Sequence, residues 1–162
     1  MEKIEFILNE FNKCDIKLST EQAERFNKLY EFLVEYNKNV NLTAITDFKE
    51  IVVKHFIDSV LPFNMIDIEE NSSFIDVGTG AGFPSIPLMI VRPDLKCTML
   101  EALNKRCVFL EKACELVGVK ATVVHGRAED YAKDRRECFD FATARAVANM
   151  SVLSEYCMPY VK

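Results

Sequence analysis

Apolar residues in the first part of the chain recur every three to four positions, and from residue 73 they gather into short runs separated by turns. Ser19-x-x-Gln22 forms a capping box, and Ala23, Phe26, Leu29, Tyr30, Leu33 and Tyr36 or Asn37 follow at helical spacing, which predicts an amphipathic helix over about 20–37. Asp47-x-x-Glu50 opens a second helix with Ile51, Val52, His55, Phe56 and Val60 on one side, and the polar connector Asn39 to Thr43 lies between the two.

After residue 70 the pattern alternates. The run Phe74–Val77, a glycine turn, a helix from Pro84 to about Val91, the run Cys97–Leu100, a helix from Asn104 to Val117, the run Ala121–Val124, a polar loop and the run Phe139–Ala142 follow in order. Strand and helix in alternation predict a parallel sheet with right-handed crossovers. Pro84 and Pro87 fall in or just before the first turn of their helix, where a missing N–H is tolerated. Residues 1–70 are therefore read as an N-terminal helical extension and 71–162 as a Rossmann-like α/β core, together one compact unit.

Composition narrows the picture. The chain has 162 residues, a length that suits one domain, with 49% hydrophobic and 28% charged residues. Its longest uncharged apolar stretch, Phe83 to Val91, is too short to cross a bilayer, and the first residues lack a secretory layout. A cytoplasmic protein with no membrane partner is expected. Six cysteines without a C-x-x-C pair, beside two histidines, predict neither a metal site nor a disulfide framework. Cys107 and Cys114, seven apart on one helix, read as small hydrophobes on a buried face. The sequons at Asn41, Asn71 and Asn149 are then chance matches. A net charge of −5 argues against gripping nucleic acid by phosphate neutralisation alone, and DNA is not expected as a partner. Local patches at Lys105 and Arg106, or at Lys133, Arg135 and Arg136, read either as solvated faces or as phosphate contacts.

The chemistry concentrates at Asp76-Val77-Gly78-Thr79-Gly80-Ala81-Gly82. A glycine turn after a first strand lets the backbone approach a ligand, and the next helix aims free N–H groups at it. The dinucleotide pattern G-x-G-x-x-G fails, because position 83 is Phe83. Asp76 at the strand end would repel a pyrophosphate and attract an ammonium or sulfonium group. Glu101, ending the second strand, can accept bonds from both ribose hydroxyls. Each acid alone reads equally as a capping or surface carboxylate, but the two together bracket a crevice for a cationic, phosphate-free adenosine derivative such as S-adenosylmethionine. Gly78, Gly80 and Gly82 would let its backbone come close, and Ala128 and Glu129, in the loop after the third strand, would hold the base. With strand order 3-2-1-4, Gly78 and Arg145 face each other at the reversal point; a solvated Arg145 paired with Asp140 or Glu129 is the alternative.

The chain resembles the bacterial small-subunit ribosomal RNA guanine-N7 methyltransferases, known as methyltransferase G or glucose-inhibited division protein B, over roughly residues 20–160. The resemblance is carried by Asn41-Leu42-Thr43, His55-x-x-Asp58-Ser59, Phe74 through Pro84, Ile86-Pro87-Leu88, Arg92-Pro93, Lys105-Arg106-x-x-Phe109-Leu110, Arg127-Ala128-Glu129 and Arg145-Ala146. It implies a Rossmann-like S-adenosylmethionine-dependent methyltransferase fold, with Gly78, Phe83, Ala128, Glu129 and Arg145 at cofactor-binding positions. It also implies methylation of guanosine N7 in the 16S rRNA, on naked RNA or on the assembled small subunit. N7 carries a free lone pair, so no general base is required; Arg145 and Asn41 are the residues expected to position the reactants. Asn41, with loop hydrogen bonding as its alternative role, and the pair His55–Asp58 on one helix face are placed near the mouth of the site. Ser85 stands where the family usually has glycine. The family continues for several strands beyond the fourth, so the C-terminal strands are expected to be missing from these 162 residues. A methyltransferase of another substrate, or a non-catalytic cofactor- or ribosome-binding fragment, are the competing readings.

Overall fold

The computed structural model describes residues 1–145 and 150–162. Its first helix, α1 (Glu2–Lys13), was not foreseen, although Ile4, Ile7, Leu8 and Phe11 stand at helical spacing; Ile7 and Phe11 are buried. α2 (Thr20–Asn37) begins where the capping box predicts, with the Ser19 side chain accepting from the Gln22 N–H and the Gln22 side chain accepting from the Ser19 N–H. Asp47 caps α3 (Phe48–Ile51) by accepting from the Glu50 N–H. The predicted second helix is one rod with a widened middle: α3 runs into a π-helical turn (Val52–Ile57) and then into α4 (Asp58–Asn64). Periodicity alone does not distinguish a π turn from a regular one, so this feature was invisible in the pattern.

The α/β part follows the predicted order: β1 (Ser73–Val77), α5 (Ser85–Val91), β2 (Lys96–Glu101), α6 (Asn104–Val117), β3 (Ala121–His125), α7 (Ala128–Tyr131), β4 (Phe141–Thr143) and α8 (Met150–Cys157). The described strands form one parallel sheet in the order β3-β2-β1-β4. Strand β4 begins two residues later than expected. Phe139 instead pairs with the tail: its N–H donates to the Tyr160 carbonyl at 2.9 Å, and Lys162 N–H donates to the Phe139 carbonyl at 2.9 Å.

Successive strand residues point to opposite faces, and the two faces carry different cores. On one side Phe74 and Met99 join Ile7, Phe11, Phe26, Phe56 and Phe109, so the helices before β1 share a core with α5 and α6. Phe26 sits between Phe11 and Phe56, each ring centroid 5.0 Å away. On the other side Ile75, Val77 and Leu100 pack with Phe139 and Tyr160. Cys107 and Cys114 are buried in the way expected of small hydrophobes, and burial pushes the Cys114 thiol up to about 12. No helix among the described residues is long and apolar enough to cross a membrane. Asn149 and Ala146 lie outside the described residues.

Candidate functional site

Strand β1 ends in the glycine turn, which hooks onto β2: the N–H groups of Gly78 and Thr79 donate to the Leu100 carbonyl at 2.9 and 3.1 Å. Gly78, Gly80 and Gly82 all have positive φ, at 67°, 59° and 87°. Such angles cost a residue with a Cβ about 1–2 kcal/mol, but the glycines differ in what surrounds them. A Cβ on Gly80 would meet nothing within 4 Å, whereas one on Gly82 would lie 2.6 Å from Ile86 Cδ1 and 3.1 Å from Leu110 Cδ2. Gly80 faces open space, and Gly82 is needed for packing against α5 and α6.

The two predicted acids take different roles. Asp76 is fully buried, and its Oδ2 accepts from Thr79 Oγ1 at 2.7 Å and from Ser85 Oγ. Burial pushes its carboxyl up to about 6, against the pull of Ser85, Thr79 and Thr143. It is not among the residues that line the crevice, because it is buried with Oδ2 turned inward to brace the turn. The hydroxyl of Ser85 is part of this brace. Glu101 does line the crevice. Its Oε2 accepts from the Gly80 N–H at 2.8 Å and its Oε1 from the Leu103 N–H at 3.2 Å, which holds the turn against the end of β2.

The cavity above the turn measures ≈ 560 Å³ and is lined by Glu101, Arg106, Arg145, His55, Phe83 and Gly80 among others. An adjoining recess of ≈ 240 Å³ is lined by Gly126, Ala128 and Glu129, and shares Gly78 and Ala102 with the first. Gly78 and Arg145, expected to face each other at the reversal point, both line this cavity. Arg145 bonds neither Asp140 nor Glu129 through any described contact; its Nη1 donates to Ser59 Oγ at 3.0 Å and its Nη2 to the Lys54 carbonyl at 3.4 Å.

The rim supplied by the N-terminal segment departs from expectation in three places. Asn41 is exposed and contributes its backbone carbonyl, which accepts from Arg106 Nη2 at 3.3 Å. The side chain that shapes this loop is Asn37: its Oδ1 accepts from the Leu42 and Thr43 N–H groups at 2.9 and 3.0 Å, and its Nδ2 donates to the Thr43 carbonyl at 3.0 Å. His55 is held by Thr43, Nε2 to Oγ1 at 2.8 Å, and not by a hydrogen bond to Asp58. Its ring stacks on Phe83, centroids 4.7 Å apart and 10° from parallel. Burial, and then the Arg145 charge, lower the imidazole's proton affinity, with Asp58 opposing. Ser59 was named only within the His55-x-x-Asp58-Ser59 element and Asn37 only as a helix position, neither with a role in the site; Asn37 at a helix end before a polar connector was the available signal. Arg106 is partly shielded, 3.8 Å from Glu101, and faces the cavity. Lys133 pairs with Asp130 and Arg135 lies over the Tyr131 ring, as solvated surface charges do.

The crevice offers an open backbone turn, a carboxylate, a guanidinium and a small-walled recess. Those groups complement an adenosine with ribose hydroxyls and a carboxylate-bearing tail. Among known proteins, the family model described as "rRNA small subunit methyltransferase G" matches residues 22–162. Ribosomal RNA small subunit methyltransferase G of Clostridium beijerinckii is 54% identical over 150 residues, covering 91% of this chain and 63% of that protein. The corresponding protein of Lactococcus lactis subsp. cremoris is 48% identical over 160 residues, covering 96% of this chain and 67% of that one. The chain thus spans about two thirds of the length of these relatives. The O-methyltransferase of Bacillus cereus, solved in complex with SAH, superimposes with a TM-score of 0.60 at 20% identity over 84% of this chain and 62% of its own, a likeness of fold.

Proposed function

Because the chain belongs to the rRNA small subunit methyltransferase G family, we propose that it carries the cofactor site of an S-adenosylmethionine-dependent methyltransferase that modifies N7 of a guanosine in small-subunit ribosomal RNA, in the cytoplasm. One observation carries this reading: Glu101, Arg145 and the open turn at Gly78–Gly80 line one and the same cavity. A carboxylate retains acceptor capacity beyond the two N–H groups that Glu101 already holds, and that capacity suits ribose hydroxyls. Ala128 and Glu129 line the recess for the base, and Arg145 suits the only anionic group of the cofactor. When bound, S-adenosylmethionine supplies an electrophilic methyl group on a sulfonium centre. The protein's task is then alignment: N7 has a lone pair and no proton to lose, so no side chain need act as base. The neutral His55 and Phe83 wall, and the cationic Arg106, frame the side from which RNA would enter. The partner is the small-subunit rRNA, naked or within the assembled small subunit.

Calorimetric titration of the chain with S-adenosylmethionine or its demethylated product tests the cofactor site; no saturable binding rejects it. Methyl transfer by the longer family protein, compared on assembled small subunits, naked rRNA and unrelated RNA, tests the substrate. Equal labelling of all three contradicts a specific ribosomal role.

A further inference from the structure

Resting on the cofactor reading above, we propose that Ser59 is a positioning residue for the cofactor's carboxylate, acting through Arg145 and made possible by the π-helical turn. Ser59 is fully buried, and its Oγ both donates to the His55 carbonyl and accepts from Arg145 Nη1. In a regular helix the Asp58 N–H would bond the Lys54 carbonyl; here it bonds the Val53 and His55 carbonyls instead. The Lys54 carbonyl, which the Asp58 N–H does not take, accepts from Arg145 Nη2 at 3.4 Å. One widened turn therefore presents two acceptors to the guanidinium, a hydroxyl oxygen and a backbone carbonyl, which tether two of its nitrogens. A guanidinium has five N–H donors in a rigid fork, so a group held in this way at two nitrogens still lines the cavity with its orientation set. π turns often occur at functional sites, and this one places the anchor on α4 and the anchored residue after β4, 86 positions apart. A fixed guanidinium recognises a planar oxyanion group, and the only one on a phosphate-free adenosine cofactor of this kind is its carboxylate.

The experiment titrates wild type, Ser59→Ala, Arg145→Gln and the double variant with two ligands by calorimetry. One is S-adenosylhomocysteine, which has the carboxylate; the other is 5′-methylthioadenosine, which keeps the adenosine and sulfur but has no amino-acid tail. Ser59→Ala is expected to weaken S-adenosylhomocysteine about tenfold, the scale of one hydrogen bond to a charged group, and to leave 5′-methylthioadenosine within about twofold. In the Arg145→Gln background it should have no further effect. Equal weakening of both ligands, an unchanged S-adenosylhomocysteine affinity, or a full Ser59→Ala effect without Arg145 overturns the proposal. Retained 5′-methylthioadenosine binding reports that the variant is folded. A wild-type chain that binds neither ligand overturns the cofactor reading and this assignment with it, whereas binding of both at equal strength removes the carboxylate contact alone.

Discussion

Gly80→Ala and Gly82→Ala should separate ligand space from packing space within one turn. Both glycines have positive φ, so either alanine carries a backbone cost of about 1–2 kcal/mol. At Gly80 nothing lies within 4 Å of the new Cβ, and the cost stops there. At Gly82 the methyl meets Ile86 at 2.6 and 2.9 Å and Leu110 at 3.1 Å. Both neighbours are almost fully buried, so overpacking adds about 1–3 kcal/mol, for a total of roughly 2–5 kcal/mol. Urea unfolding followed by circular dichroism should place Gly82→Ala well below Gly80→Ala in midpoint with a similar slope. Calorimetry with S-adenosylhomocysteine should reverse the ranking, because the Gly80 methyl enters the cavity. Equal stability of the two variants, or a Gly80→Ala chain that is both stable and fully competent for the ligand, would refute the division.

Asp76 supplies a pH prediction. Burial pushes its carboxyl up to about 6 in the folded chain, above the 3.8 of a free aspartate, so the folded state holds the proton more tightly. Stability from this group is greatest below about pH 4, declines as pH rises to about 6, and is lower by roughly 3 kcal/mol above that. Urea midpoints of wild type should show the decline across this window and those of Asp76→Asn should not; parallel curves would contradict it. Glu101→Ala should weaken S-adenosylhomocysteine and 5′-methylthioadenosine alike, each by about 1.5–3 kcal/mol in calorimetry, because both have the ribose; a loss confined to one ligand argues against ribose contact. Phe26→Ala should lower unfolding stability by about 3–5 kcal/mol, since the ring is fully buried between Phe11 and Phe56; a loss under about 1 kcal/mol would show that α2 is not integral to the core.

The strand order and the crevice were legible because they depend on local signals: alternating apolar runs, a glycine turn after Phe74–Val77, and acids at strand ends. The roles of those acids were not. Asp76 lies one residue inside the end of β1, opposite Met99, whereas Glu101 is the last residue of β2, and the Thr79 and Ser85 hydroxyls that hold Asp76 inward reach it only in the folded turn. Asn41 carries the sequence motif, yet Asn37 makes the hydrogen bonds, because a residue at the end of α2 can reach back under the loop. Helix α1 was overlooked for a different reason: its apolar stripe is diluted by Glu2, Lys3, Glu5, Glu10 and Lys13, and its burial comes from α2. The π turn has no composition signal at all.

That widened rod also determines where motion is permitted. Its inward side, Val52, Phe56 and Val60, is buried to 2% exposure or less in the main core, and the neighbouring positions of the same rod provide His55 and the buried Ser59 anchor. Swinging this wall outward would uncover the core, so its amides should resist hydrogen exchange nearly as long as the fold survives.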